Sequence, residues 1–163
     1  MEDRAMPVLA RRPLLALMGA LALPRLGLAA GGLPAMVVHK DAGCGCCGLW
    51  IDHLLGAGFE VTARDVADMQ PIKARLGVPR DLASCHTAEI AGYTIEGHVP
   101  AAEIKRLVQA RPKARGLAVP GMPIGSPGME VPGTAPDSYA VILFGPGAST
   151  RVVFARYRGD RAA

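Results

Sequence analysis

The sequence predicts a single α+β domain, a central mixed sheet with flanking helices, and three observations carry that prediction. A strand, a Gly-rich turn, a helical stretch and a second strand follow one another over residues 36–64. A Pro-led amphipathic helix occupies residues 100–109, and two β-branched and aromatic runs around Gly145-Pro146-Gly147 close the chain as a hairpin.

The N-terminal 29 residues read as a separate segment. Arg4 and Arg11-Arg12 precede the apolar run 13–23, and Gly27-Leu28-Ala29 is a small-x-small cleavage pattern, so residues 1–29 are expected to be a signal peptide and residues 30–163 the mature domain. The apolar run has 11 residues, short of the ~18–20 a bilayer span needs, so no stable membrane insertion is expected after cleavage. The expected compartment is the periplasm. The route is left between Sec and twin-arginine, because Arg11-Arg12 lacks the usual flanking residues.

Of the 18 basic and 14 acidic residues, residues 1–29 hold four and two, which leaves 14 and 12 on a 134-residue domain, net +2. That balance, with Lys105-Arg106 and the group Arg111, Lys113 and Arg115 dispersed along the chain, excludes a nucleic-acid footprint. Aromatics are few, so the core must be aliphatic.

Each element has its own signal. Met36-Val37-Val38-His39-Lys40 is a short apolar run and reads as a strand; residues 48–55 carry apolar side chains at helical spacing and stop at Gly56-Ala57-Gly58. Residues 59–64 alternate as a strand does, which makes a βαβ unit. Residues 69–76 form a short helix with Pro71 in its first turn, ending at Gly77-Val78-Pro79. Residues 87–91 and 93–96 flank Gly92 as extended, paired segments, and the helix from Pro100 buries Ile104, Leu107 and Val108. From Arg115 to Pro136 five glycines and five prolines predict a long irregular loop; residues 139–144 and 151–157 are the closing strands.

Four cysteines carry the chemistry. Cys44, Cys46 and Cys47 lie where the first strand feeds the helix, with Gly45 expected to let the chain turn tightly, and Cys85 lies in Ser84-Cys85-His86-Thr87. Exported thiols pair or hold metal. Cys44 and Cys47 alone make a C-x-x-C pair in the thioredoxin-like position, where the helix N-terminus favours thiolate. A dithiol enzyme needs only two cysteines, and Cys46 between them invites scrambling. Three thiolates in one loop joined by Cys85 suit Cu(I) instead. A structural zinc or iron–sulfur domain held by all four cysteines is a third reading; zinc takes two well-spaced C-x₂₋₄-C arms, and the three-plus-one arrangement matches zinc less well.

Cys44-Gly45-Cys46-Cys47-x-x-Trp50, Gly77-Val78-Pro79, Ser84-Cys85-His86-Thr87-Ala88, Gly92-Tyr93-x-Ile95-Glu96-Gly97-His98-Val99-Pro100-Ala101 and Gly121-Met122-Pro123-x-Gly125-Ser126-Pro127-Gly128-Met129-Glu130 together resemble the CopG-type periplasmic copper-resistance proteins. The motifs run in the same order over residues 36–154. The resemblance implies a thioredoxin-like domain, copper held by Cys44, Cys46, Cys47 and Cys85, and a role in copper redox handling beside other periplasmic copper-handling proteins. It leaves open whether the chain is an enzyme, a copper oxidoreductase, or a store.

Further candidates come from the residues. Met122 and Met129 sit in the Gly/Pro loop without amphipathic periodicity; they either supply soft thioether sulfur or fill space under the loop. His86 adjoins Cys85, but in an extended chain neighbours point to opposite sides, which weighs a surface or hydrogen-bonding role against ligation. His98, at a helix entry, could face the cysteines as ligand or supporting partner. His39 and His53 are expected to pack or face solvent, Trp50 to shield the site, and Met36 and Met69 to lie in the core. No carboxylate pair or nucleophile arrangement and no phosphate-binding glycine fingerprint is present. The rival reading is a thiol-disulfide oxidoreductase using Cys44 and Cys47.

Overall fold

The computed structural model describes residues 32–146 and 150–163; the expected signal peptide lies outside the described residues. Eight strands form one mixed sheet: β1 (Met36–Lys40), β2 (Val61–Asp65), β3 (Thr87–Ile90), β4 (Tyr93–Glu96), β5 (Gly116–Ala118), β6 (Ser138–Phe144), β7 (Arg151–Arg158) and β8 (Arg161–Ala162). Their spatial order is β2-β1-β3-β4-β5-β6-β7-β8. Three helices connect them, α1 (Gly45–Gly56), α2 (Met69–Arg75) and α3 (Ala101–Ala110), with a 3₁₀ turn at Arg80–Leu82.

Two parallel pairings set the plan. β1 pairs with β2 through α1, and β4 pairs with β5 through α3, because parallel neighbours need a crossover long enough to hold a helix. All other neighbours are antiparallel. The β3–β4 hairpin turns on Ala91 (φ 48°) and Gly92 (φ 84°), two successive left-handed residues, as a tight two-residue hairpin requires.

Alternation along the strands divides the sheet into unlike faces. Met36, Val38, Ala88, Ile90 and Ile95 stack in register on one face and pack with Trp50 and Leu54 of α1 and Ile104 and Leu107 of α3, forming the core. His39, Thr87, Glu89, Thr94 and Glu96 stand on the other, a polar layer reached by Lys73 and Arg75 of α2. One turn of alternation thus decides which residues can be apolar.

Several expectations are corrected. The helix starts at Gly45 rather than residue 48, so Cys46 and Cys47 occupy its first turn, and Gly45 is an ordinary helical residue without a left-handed backbone. The span 115–136 is not wholly irregular: Gly116–Ala118 is fully buried as β5, a three-residue strand too short for a period-2 signal. β8 was also not expected, and Met69 is only half-buried. Among the described residues no helix is long and apolar enough to cross a membrane.

Candidate metal centre

The site forms where β1 ends and β3 begins. β1 delivers the chain to Cys44, the residue capping α1, and the hydrogen bond from the Cys44 N–H to the Asp41 carbonyl (3.1 Å) closes the turn between them. Cys46 and Cys47 follow on the first helical turn, and Cys85 arrives from the bend that precedes β3. All four sulfurs lie within 4.8 Å of one another. Cys46 is the hinge of the group: its Sγ is 3.6 Å from that of Cys44 and 3.9 Å from that of Cys85. Cys44 and Cys47 are joined by a disulfide, and Cys46 and Cys85 are free. Cys47 is buried, whereas Cys44, Cys46 and Cys85 are half-buried, so the sulfurs open towards one side.

The helix N-terminus adds partial positive charge and unpaired N–H groups beneath the sulfurs. Among the described residues, no side-chain cap competes for them at α1. Opposing this, burial and the neighbouring Cys46 push the Cys85 thiol up to about 11. Cys85 is therefore held as a thiol until something replaces its proton.

His86 and His98 flank that thiol. Cys85 Sγ is 3.2 Å from His86 Nδ1 and 3.2 Å from His98 Nε2, and both rings are fully buried. The opposite-sides expectation for His86 fails because Cys85 sits in a bend, not in extended chain. A hydrogen-bond partner assigns the His98 tautomer. His98 Nδ1–H donates to the Pro127 carbonyl at 2.8 Å, which leaves Nε2 as a bare lone pair aimed at the sulfur. His86 presents Nδ1 to Cys85, while its Nε2 is buried without a partner in hydrogen-bonding geometry. Burial lowers the pKa of both rings, that of His86 further because His98 and Lys73 lie near, so both are neutral at pH 7. Cys85 Sγ thus stands between two neutral imidazoles and can donate to the bare Nε2 of His98.

Trp50 seals the back of the site. Fully buried, it donates Nε1–H to the Val99 carbonyl (2.9 Å), and its ring lies 4.2 Å from that of His86, which stands edge-on to His98 at 4.9 Å. His39 and His53 stand elsewhere: His39 Nε2 bonds Glu89 at 2.9 Å in the polar layer, and His53 Nε2 accepts the Ala101 N–H (3.1 Å) at the start of α3. That last bond caps a helix whose own capping residue, Pro100, has no side chain to offer.

The Gly/Pro loop is tied to both cysteine arms. Its Gly121 N–H donates to Ala83 (3.2 Å), and the Ser84 hydroxyl donates to the Gly121 carbonyl, beside Cys85. Six residues on, Pro127 receives His98, and Gly128 (φ 82°) lies against α1 so closely that a Cβ there would stand 2.6 Å from Trp50 N and 2.9 Å from Cys46 O. Met129 is half-buried beside Gly128, whereas Met122 is 53% exposed.

A missed feature is Glu96, fully buried with Lys73 Nζ at 2.5 Å. No local pattern marks it: in Tyr93-Thr94-Ile95-Glu96 it falls with Thr94 on the face opposite Ile95, where an acidic residue reads as solvent-facing, and only the partners packed over that face show that it is buried.

The raised Cys85 pKa predicts its reactivity. At pH 8 about one Cys85 in a thousand is ionised, and the thiolate is the nucleophile, so iodoacetamide labelling of Cys85 in the metal-free protein should climb roughly tenfold per pH unit up to near pH 11. Peptide mass spectrometry after timed pulses reads it. A rate levelling off near pH 9, as for an ordinary thiol, would contradict the buried setting.

The family described as "Protein of unknown function, DUF411" matches residues 82–129, the stretch from Cys85 through the loop. Two solved structures, titled "Copper resistance protein copG- Form 1" and "Copper resistance protein copG- Form 2", each share 49% identity at a TM-score of 0.72. The first match covers 78% of this chain and 99% of the other; the second covers 77% and 98%. No curated protein matches the chain.

Proposed function

The chain belongs to the CopG copper-resistance protein family, and from that premise we propose that it is an exported, thioredoxin-like protein of the periplasm, residues 30–163 after loss of residues 1–29, that holds Cu(I) for envelope copper homeostasis. One observation carries the reading. Four sulfurs from two separate segments meet at a helix N-terminus beside the lone pair of His98, whose other nitrogen is spoken for by a backbone carbonyl. Soft thiolates with a neutral imidazole fit a soft monovalent ion, and thiolates that bridge could hold several. The ligands proposed are Cys44, Cys46, Cys47, Cys85 and His98, with His86 donating to or joining Cys85 and thioether sulfur from Met129 or Met122 of the loop. Bound copper would supply one-electron redox chemistry at the sulfurs. Zinc suits the three-plus-one sulfur set less well.

This chain's own part is to present anions on demand. The Cys44–Cys47 disulfide must take two electrons and two protons from a pair of external thiols, which leave joined as a disulfide, before those sulfurs can serve, and each cysteine that binds metal must then give up its proton. Loading is therefore tied to reduction and releases protons.

The same disulfide supports a second reading, a thiol-disulfide oxidoreductase working through Cys44 and Cys47. Metal analysis with thiol titration of mature protein purified anaerobically separates the two. Copper with four protected thiols is the expected result; metal-free protein with one Cys44–Cys47 disulfide and disulfide-reducing activity would overturn it.

A further inference from the structure

Cys85 is the one sulfur not carried by α1, and something other than that helix must hold it in place. Its neighbour supplies the answer. The Ser84 N–H donates to Glu96 Oε1 at 2.6 Å, at the bend where the chain turns Cys85 towards the other sulfurs. Glu96 is fully buried, and the same oxygen accepts from Lys73 Nζ at 2.5 Å while Oε2 accepts the Thr87 hydroxyl at 2.7 Å. Lys73 closes the ring by donating to Thr87 Oγ1 at 3.0 Å. Helix α2, strand β3 and strand β4 thus all bear on one carboxylate, and its outward reach is the amide before Cys85.

Stability alone is a poor reason for such a pair. Burying two charges costs about as much as their attraction returns, and an apolar replacement of the same volume is often no worse. What an apolar pair could not do is accept the Ser84 N–H. A charged acceptor makes a shorter and stronger bond to that amide than a neutral one, and it is aimed from the polar side of the sheet while α1 approaches from the apolar side. The two cysteine arms are therefore clamped independently.

We propose that Glu96, fixed by Lys73 and Thr87, is a positioning residue that sets the place of Cys85 relative to Cys46 and His98, and so sets the affinity of the copper site. The copper arm of this inference rests on the function proposed above; the remaining arms concern the metal-free protein.

Three measurements test it. In the wild-type, metal-free protein the Ser84 amide should resist hydrogen exchange as a buried, bonded group does; exchange at the rate of an open loop would overturn the proposal without any variant. Lys73→Met with Glu96→Leu removes both charges together, avoiding an unpaired one, and removes the acceptor. That double variant should still fold, with a lower melting temperature because the Ser84 N–H and the Thr87 hydroxyl lose their acceptor, lose roughly 10- to 100-fold in Cu(I) affinity, the usual effect of deleting a group that orients a ligand, and label faster at Cys85 while the Cys44–Cys47 disulfide keeps its reduction potential. Glu96→Gln, whose amide oxygen can still accept from Ser84, should restore most of the affinity. A folded double variant with wild-type affinity and Cys85 labelling would overturn the proposal, as would equal effects on both cysteine arms. Wild-type protein that takes no copper yet shows the protected Ser84 amide and the faster Cys85 labelling in the double variant would overturn the copper reading and leave Glu96 in its role.

Discussion

Cys46→Ser should empty the site of copper as completely as Cys44→Ser. Cys46 Sγ stands between the others, 3.6 Å from Cys44 and 3.9 Å from Cys85, so it joins the helix arm to the β3 arm. Removing it takes away one soft anion and also the sulfur through which the two arms would share a metal. The loss in affinity should exceed the roughly 10- to 100-fold typical of a residue that merely supports a ligand. The fold should be little affected, since serine fits a half-buried cysteine position and the Cys44–Cys47 disulfide does not involve Cys46. Competition titration with a Cu(I) chelator measures it. Full copper retention in Cys46→Ser, with disulfide-reducing activity lost only in Cys44 and Cys47 variants, would hand the site to the oxidoreductase reading.

Gly128→Ala should unseat the loop. A Cβ at this position would meet Trp50 N at 2.6 Å, Cys46 O at 2.9 Å and Leu49 C at 3.1 Å, all backbone atoms of α1 that no rotamer change can move. Overpacking of this kind costs about 1–3 kcal/mol, and the left-handed backbone at φ 82° adds about 1–2 kcal/mol for a side chain. The combined loss corresponds to a melting temperature lower by about 5–15 °C for a domain of this size. Pro127, one residue away, would shift with the loop and release His98 Nδ1, so copper affinity should fall too. Gly133→Ala is the control, because φ there is 77° but nothing lies within 4 Å of an added Cβ. It should show the backbone cost alone and keep copper affinity. Equal melting temperatures and equal affinities for the two variants would mean that the loop is not seated on α1.

Most of the scaffold was legible in the chain because its elements are marked locally. The periods of β1, α3, β6 and β7 and the Gly92 turn each depend on residues within a few positions, and they stand where expected. The three-residue β5 did not, since its strand character comes from pairing with β4 and β6, segments far from it in the sequence. The cysteines were legible as a group because three of them share one short segment.

What the sequence by itself determined is therefore the α+β alternation, the family motifs and the four cysteines as candidate soft donors. Only the tertiary structure decided how those donors are held. His86 reaches Cys85 because a bend, not a strand, carries the sulfur; His98 turns its lone pair inward because Pro127, 29 residues later, takes the other nitrogen. Glu96 looks like one more surface acid until α2 folds Lys73 over it. The physical reason is common to all three: a proton's position and a buried charge's partner are set by hydrogen bonds between segments, and no local pattern records which distant segment will supply them.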